Sequence, residues 1–193
     1  MLNIKAKAGD TLGAAVVKSG SINNNVAAGG VFVVQCFDSE GNLKWEEKNH
    51  NLVVNVGLKD MNDKYFTGSA YTAAWYVGVY GAAASNNPAA GDTMASHAGW
   101  TEVTAYSQAT RPQAVFGAAT TADPSVITTS ASPAVFSING STVVGGAFLT
   151  TSNTKGGTTG ILFSASDFAA PGDRSVVNGD TINITYTFSL DAA

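Results

Sequence analysis

From Thr181 to Leu190 the chain alternates without a break. Ile182, Ile184, Tyr186, Phe188 and Leu190 interleave with Thr181, Asn183, Thr185, Thr187 and Ser189. A side-chain period of two places one set on each face of an extended strand, so the run predicts a strand with one face in a core. Asn178-Gly179-Asp180 ahead of it is turn chemistry. A lone strand is not stable in water and needs neighbours. Short runs supply them: residues 31–38 (VFVVQCFD), Trp100–Tyr106, Ala114–Phe116, Val126–Thr129, Ala134–Ile138, Val143–Thr150 and Gly160–Ser164, separated by Ser-, Pro- or Gly-bearing turns. This pattern predicts an all-β fold, a β-sandwich for which a jelly-roll-like arrangement is one form. One short helix is expected to pack on the sheet, and an extended N-terminal arm to lead into it.

Two turns are readable. Ser39-Glu40-Gly41-Asn42 predicts a hairpin joining residues 31–38 to Leu43–Lys48, with Leu43 and Trp45 inward and Lys44, Glu46 and Lys48 outward. Asn139-Gly140 has the composition of a two-residue hairpin turn.

Between Asn51 and Gly81 a helical period gives way directly to a strand period. Val54, Leu58, Met61 and Tyr65 are spaced as one apolar helical stripe, with Lys59, Asp60, Asn62, Asp63 and Lys64 on the other face. Then Tyr71, Ala73, Trp75, Val77 and Val79 alternate with Thr72, Ala74, Tyr76, Gly78 and Tyr80. That run is bulky or apolar on both faces, as in a strand buried on both sides. The pair reads as a helix covering a sheet.

Only 12% of the 193 residues are charged, about half the usual fraction. A surface poor in Lys and Glu fits one that meets other proteins, and equally a neutral, solvated Ser/Thr surface. Net charge is −4. Residues 1–64 hold seven Lys against seven acids, while residues 65–193 hold only Lys155, Arg111 and Arg174 against seven acids. No basic stripe is present, so nucleic acid is not expected as a partner. No stretch reaches the ~18 apolar residues of a membrane-spanning helix, and the N-terminus, with Asp10 and Lys18 bracketing a weak apolar patch, makes a poor signal peptide. Cys36, the single cysteine, lies in an apolar run and reads as a small buried hydrophobe.

Residues 1–30 are small, polar and rich in Gly, Ala and Asn, the composition of an arm preceding a body at 31–193. The arm is expected to lie on a neighbouring subunit, through Leu2, Ile4, Leu12, Val16, Val17 and Ile22; the alternative is an edge strand along its own domain through Leu12–Val17. Residues 81–99 form a long loop without period, and such loops are usually functional or held by a partner.

Chemistry-bearing residues are few. His97 has Asp92 and Glu102 nearby in sequence, but no metal-ligand spacing accompanies it, so neither metal nor cofactor is expected. Asp92 and Glu102 as a glycosidase pair would require that they meet in one cleft. Arg111 invites a two-point bond with Glu102 or Asp92, either as an internal clip on the long loop or, together with His97 and Trp100, as a reach toward a partner.

Three strings carry a resemblance. They are Gly91-Asp92-Thr93-Met94-Ala95-Ser96-His97-Ala98-Gly99-Trp100-Thr101-Glu102 with Tyr106 and Arg111-Pro112; Asn51-Leu52-Val53, Val56-Gly57-Leu58 and Trp75-Tyr76-Val77-Gly78; and Val144-Gly145-Gly146-Ala147-Phe148-Leu149 with Gly156-Gly157-Thr158-Thr159-Gly160. Across residues 31–190 the chain resembles small virion structural proteins of tailed bacteriophages, of the capsid decoration (cement) type. The resemblance implies a non-enzymatic homo-oligomer, a trimer more than a dimer. Assembled in the bacterial cytoplasm, it would sit on the head surface and clamp the major capsid protein's capsomers. A tail tube or connector role, or a tail-fibre module reading a glycan through Tyr71, Trp75, Tyr76 and Tyr80, belongs to the same group of roles. The resemblance supplies no catalytic residues.

Overall fold

The computed structural model describes residues 26–72, 74–82, 88–169 and 172–192. In chain order the elements are β1 (Val26–Phe37), β2 (Leu43–His50), β3 (Leu52–Val53), α1 (Asn55–Phe66), β4 (Trp75–Ala82), β5 (Trp100–Glu102), β6 (Gln113–Ala114), β7 (Ser125–Thr128), β8 (Ala134–Ser137), β9 (Thr142–Val144), β10 (Gly146–Thr150), β11 (Leu162–Asp167), β12 (Arg174–Val176) and β13 (Thr181–Ala192).

They form the expected all-β sandwich. One sheet runs β2-β1-β13, with β7 and β8 sharing the far edge of β13. The other runs β3-β11-β10-β4, with β5 and β6 sharing the far edge of β4. β9 and β12 make a separate two-stranded ribbon. The strand with the clearest alternation is the spine of the first sheet: β13 pairs with β1 from Val26↔Ala192 to Phe37↔Thr181, and its other edge takes β8 and then β7. Ile182, Ile184, Tyr186 and Phe188 point inward and are buried. Each removes an apolar side chain from water, at most roughly 1.5–3 kcal/mol apiece. Facing them are Val77, Val79, Ala147, Leu149 and Phe163 of the second sheet, in one core that also takes Cys36.

β4 is buried on both faces, as its composition predicts. Val77 and Val79 enter the central core, while Tyr80 joins Val54, Met94, Trp100, Phe148, Leu162 and Ala165 in a second core on the sheet's outer side. Two glycines make room for rings there. Gly78 lies opposite Phe148 and Gly146 opposite Tyr80, and a methyl group on either glycine would collide with the facing ring. α1 and the segment leading to Trp100 cover this face.

Several expectations change. β1 begins at Val26, so residues 26–30 belong to the sheet rather than to an arm. A bulge between Cys36 and Phe37 shifts the hairpin register; Phe37 then faces Leu43, which turns outward at 53% exposure while Trp45, Glu47 and Asn49 point inward. The strand expected from Tyr71 starts at Trp75, and Tyr71 is exposed. Of Trp100–Tyr106 only three residues are strand, with Tyr106 bridging to Ile138. Val143–Thr150 divides at Gly145, whose N–H donates to the Tyr80 carbonyl at 2.8 Å. Asn139-Gly140 does not close a hairpin: β8 pairs with β13 and β9 with β12, so the chain changes sheets at that turn.

The helical stripe is the largest change. Gly57 brings α1 so close to β11 that an added methyl would strike the Phe163 carbonyl. That approach sets the helix's rotation. Val54, Gly57 and Asp60 are buried, while Leu58 is 42% and Tyr65 83% exposed. Asp60 is neutralised by Lys64 one turn on. The stripe therefore runs from the core outward across the surface instead of lying wholly beneath the helix.

Candidate functional site

The side chains singled out in the sequence gather around Trp100. Its indole Nε1 donates to Asp92 Oδ2 at 3.2 Å, and Asp92 also accepts from Ala89 N at 3.0 Å. The ring packs against Tyr80 and Phe148, with centroids 4.9 and 5.2 Å away. His97 stacks on it at 3.7 Å, with Nδ1 2.9 Å from the Trp100 carbonyl. Trp100 is thus a buried pillar for residues 88–99, fixed through its polar edge as a buried indole requires.

Arg111 is an internal clip, but on a different loop from the one expected. Its Nε and Nη2 donate to the two oxygens of Glu102 at 2.8 and 2.7 Å. Nη1 donates to the Ser152 carbonyl at 2.9 Å and Nη2 also to that of Gly157 at 2.7 Å. Gly156 N adds a bond to Glu102 Oε2 at 2.8 Å. The pair holds the β10–β11 connection, not residues 81–99, and Arg111 is 1% exposed. Lys155 in that connection also donates to the Tyr106 carbonyl at 2.9 Å. Arg174, the other arginine, pairs with Glu47 and ties the β9–β12 ribbon to β2.

A cavity of about 380 Å³ lies over these groups, lined in part by Met94, His97, Trp100, Glu102, Phe148 and Thr158. His97 and Glu102 are both among its lining residues, while Asp92 is turned toward Trp100. Both Glu102 oxygens are engaged by Arg111 and Gly156, so the carboxylate is a structural anion. Among the described residues no three His, Cys, Asp or Glu side chains converge as a metal site would require.

Of the expected partner contacts, Trp100 and Arg111 are buried inside the subunit and present no surface; His97 is half-buried against Trp100. Leu2, Ile4, Leu12, Val16, Val17 and Ile22 lie outside the described residues. Of the four aromatics considered for glycan contact, Tyr71 is 80% exposed, Trp75 and Tyr76 are half-buried and Tyr80 is buried.

Sequence reasoning missed the outer surface of α1. Tyr65 and Phe66 are 83% and 76% exposed, stacked edge to face with centroids 4.8 Å apart, on the same helix as half-exposed Leu58. The stripe's spacing was visible, but its outward rotation was not.

The fold and these sites define a β-sandwich with a helix-covered second sheet, an internally clipped loop system and an aromatic outer helix face. No protein-family model matches the chain, and comparison with curated proteins and with solved structures finds no match. Among the described residues no helix is long and apolar enough to cross a membrane.

Proposed function

We propose that this chain is a structural protein of a tailed-bacteriophage virion, a capsid decoration protein that forms homo-oligomers, trimers in the simplest case, on the head and clamps neighbouring capsomers of the major capsid protein. The observation that carries the reading is the aromatic outer face of α1. Leu58, Tyr65, Phe66 and nearby Tyr71 leave large apolar area in water on a protein with few charges. Apolar surface gathered in one place marks an interaction site, and aromatic residues are enriched at the centres of interfaces. The sandwich behind it is stiff and internally tied, so few groups need ordering on binding. In a lattice, modest contacts repeated between subunits add up to strong attachment.

The test is to locate and count the protein in the intact particle by electron cryomicroscopy. Copies in register with the capsid lattice, contacting one another and the capsid through α1, are expected. A handful of copies confined to the tail, or absence from the particle, overturns the reading.

A further inference from the structure

The cavity of about 380 Å³ beside Trp100 has a lining of two kinds. Met94, Trp100 and Phe148 are buried and apolar, while Thr101, Thr104 and Thr158 are exposed and bring hydroxyls. An apolar body with a few placed polar groups, at this size, is the usual form of a small-molecule site.

Buried polar bonds fix this lining in advance. Asp92 holds the Trp100 indole, and His97 stacks on that ring. Arg111 binds Glu102 and the Ser152 and Gly157 carbonyls, and Glu102 accepts from Gly156 N. Residues 156–158 are thereby tied to β5. A buried ion pair is weak evidence for stability, because apolar residues of similar volume often serve as well. What this pair supplies that they do not is position for the loop that carries Thr158. A site set in place beforehand needs little ordering when a ligand arrives.

The lining also selects the chemistry of a ligand. The Trp100 carbonyl can only accept, so the neutral form of His97 bonded to it carries its proton on Nδ1 and keeps a lone pair on Nε2. Glu102 Oε1 accepts a single bond, from Arg111 Nε, and has a further lone pair to offer. The threonine hydroxyls donate or accept. Among the described residues that line the cavity none is cationic, so an anion finds no counter-charge. A cation finds the one carboxylate already neutralised by Arg111. What suits these groups is a neutral ring with hydroxyl donors at its edge and C–H groups on its faces.

We infer that the cavity binds a neutral pyranose, free or as one unit of a glycan, with His97 Nε2 and Glu102 Oε1 accepting from its hydroxyls. This goes beyond the decoration reading and does not depend on it, because the test uses the purified full-length protein alone. Isotope-labelled protein is titrated with glucose, galactose, N-acetylglucosamine and maltose, and with glucuronate and glucosamine as charged counterparts, while amide resonances are followed. Saturable shifts at Thr101, Gly156 and Thr158 with at least one neutral sugar, and weaker binding of the charged ones, are expected. Tighter binding of maltose than of glucose marks a glycan unit, and equal binding marks the single ring. No saturable shift at these residues with any neutral sugar, or a preference for a charged one, overturns the inference. Two variants then test the assigned contacts. His97→Phe keeps a ring against Trp100 and removes the acceptor; Thr158→Val replaces an exposed hydroxyl by a methyl and leaves the core untouched. Each should weaken sugar binding about two- to tenfold, the worth of one hydrogen bond. Unchanged affinity in both overturns the assignment.

Discussion

Arg111 and Glu102 face each other as two parallel hydrogen bonds, Nε to Oε1 at 2.8 Å and Nη2 to Oε2 at 2.7 Å, inside the subunit. The guanidinium is fully buried and also holds the Ser152 and Gly157 carbonyls, so one side chain joins β5, the segment before β6 and the β10–β11 connection. Arg111→Met leaves the Glu102 carboxylate with the Gly156 N–H alone and takes the guanidinium donors from the Ser152 and Gly157 carbonyls. It should cost about 3–5 kcal/mol of stability, and adding Glu102→Gln should recover part of that loss. Urea unfolding of the two single variants and the double variant measures this.

Gly78 and Phe148 make a tight contact of another kind. Gly78→Ala pushes a methyl into the Phe148 ring and should destabilise by about 1–3 kcal/mol. Gly91→Ala, with open space around its added methyl, should change stability by less than about 0.5 kcal/mol. Thermal unfolding of both variants separates packing from any general effect of losing a glycine.

Tyr65 and Phe66 contribute little to the fold of the single subunit. Tyr65→Ser with Phe66→Ser should leave the monomer's unfolding midpoint nearly unchanged and weaken self-association and attachment to particles. Sedimentation velocity over a range of concentrations reads the first, and co-sedimentation with particles the second. Because the contact is apolar, the parent's association should be insensitive to salt.

Asp167 gives a pH dependence with a definite sign. Burial holds its carboxyl above the ordinary range, opposed by the Tyr80 hydroxyl that donates to it at 3.3 Å and reinforced by Asp173. Between the ordinary carboxylate value and that raised value the native state keeps a proton which the unfolded chain releases. Stability is therefore lost as pH rises through this window. Asp167→Asn should match the parent below the window and exceed it above, as denaturation midpoints across acidic and neutral pH would record.

Cys36 should be chemically silent in the native state. Burial, with Asp180 nearby, pushes its thiol up to about 11, and the side chain has no exposed surface. Thiolate is the reactive form. Alkylation at neutral pH should proceed only through unfolding, so its rate should follow denaturant concentration as the unfolding equilibrium does.

What the sequence determined by itself is whatever periodicity and turn chemistry encode locally. The alternation of Ile182 to Leu190 placed β13 correctly, because a period of two has one structural meaning. The apolar character of both faces of Trp75–Tyr80 revealed a strand covered on both sides. The Arg111–Glu102 pair was readable as one of two options, since few cations were left for the carboxylates of that region. Tertiary structure alone decided which surface each element turned outward. The approach of Gly57 to the Phe163 carbonyl rotates α1 and exposes Leu58 and Tyr65, although their spacing fits a buried stripe. The bulge at Cys36 and Phe37 turns Leu43 out, and the change of sheets after Ile138 overrides an Asn-Gly turn. The helix rotation and the change of sheets depend on contacts between residues far apart in the chain, and the bulge on the register of the hairpin pair, where steric fit outweighs local preference.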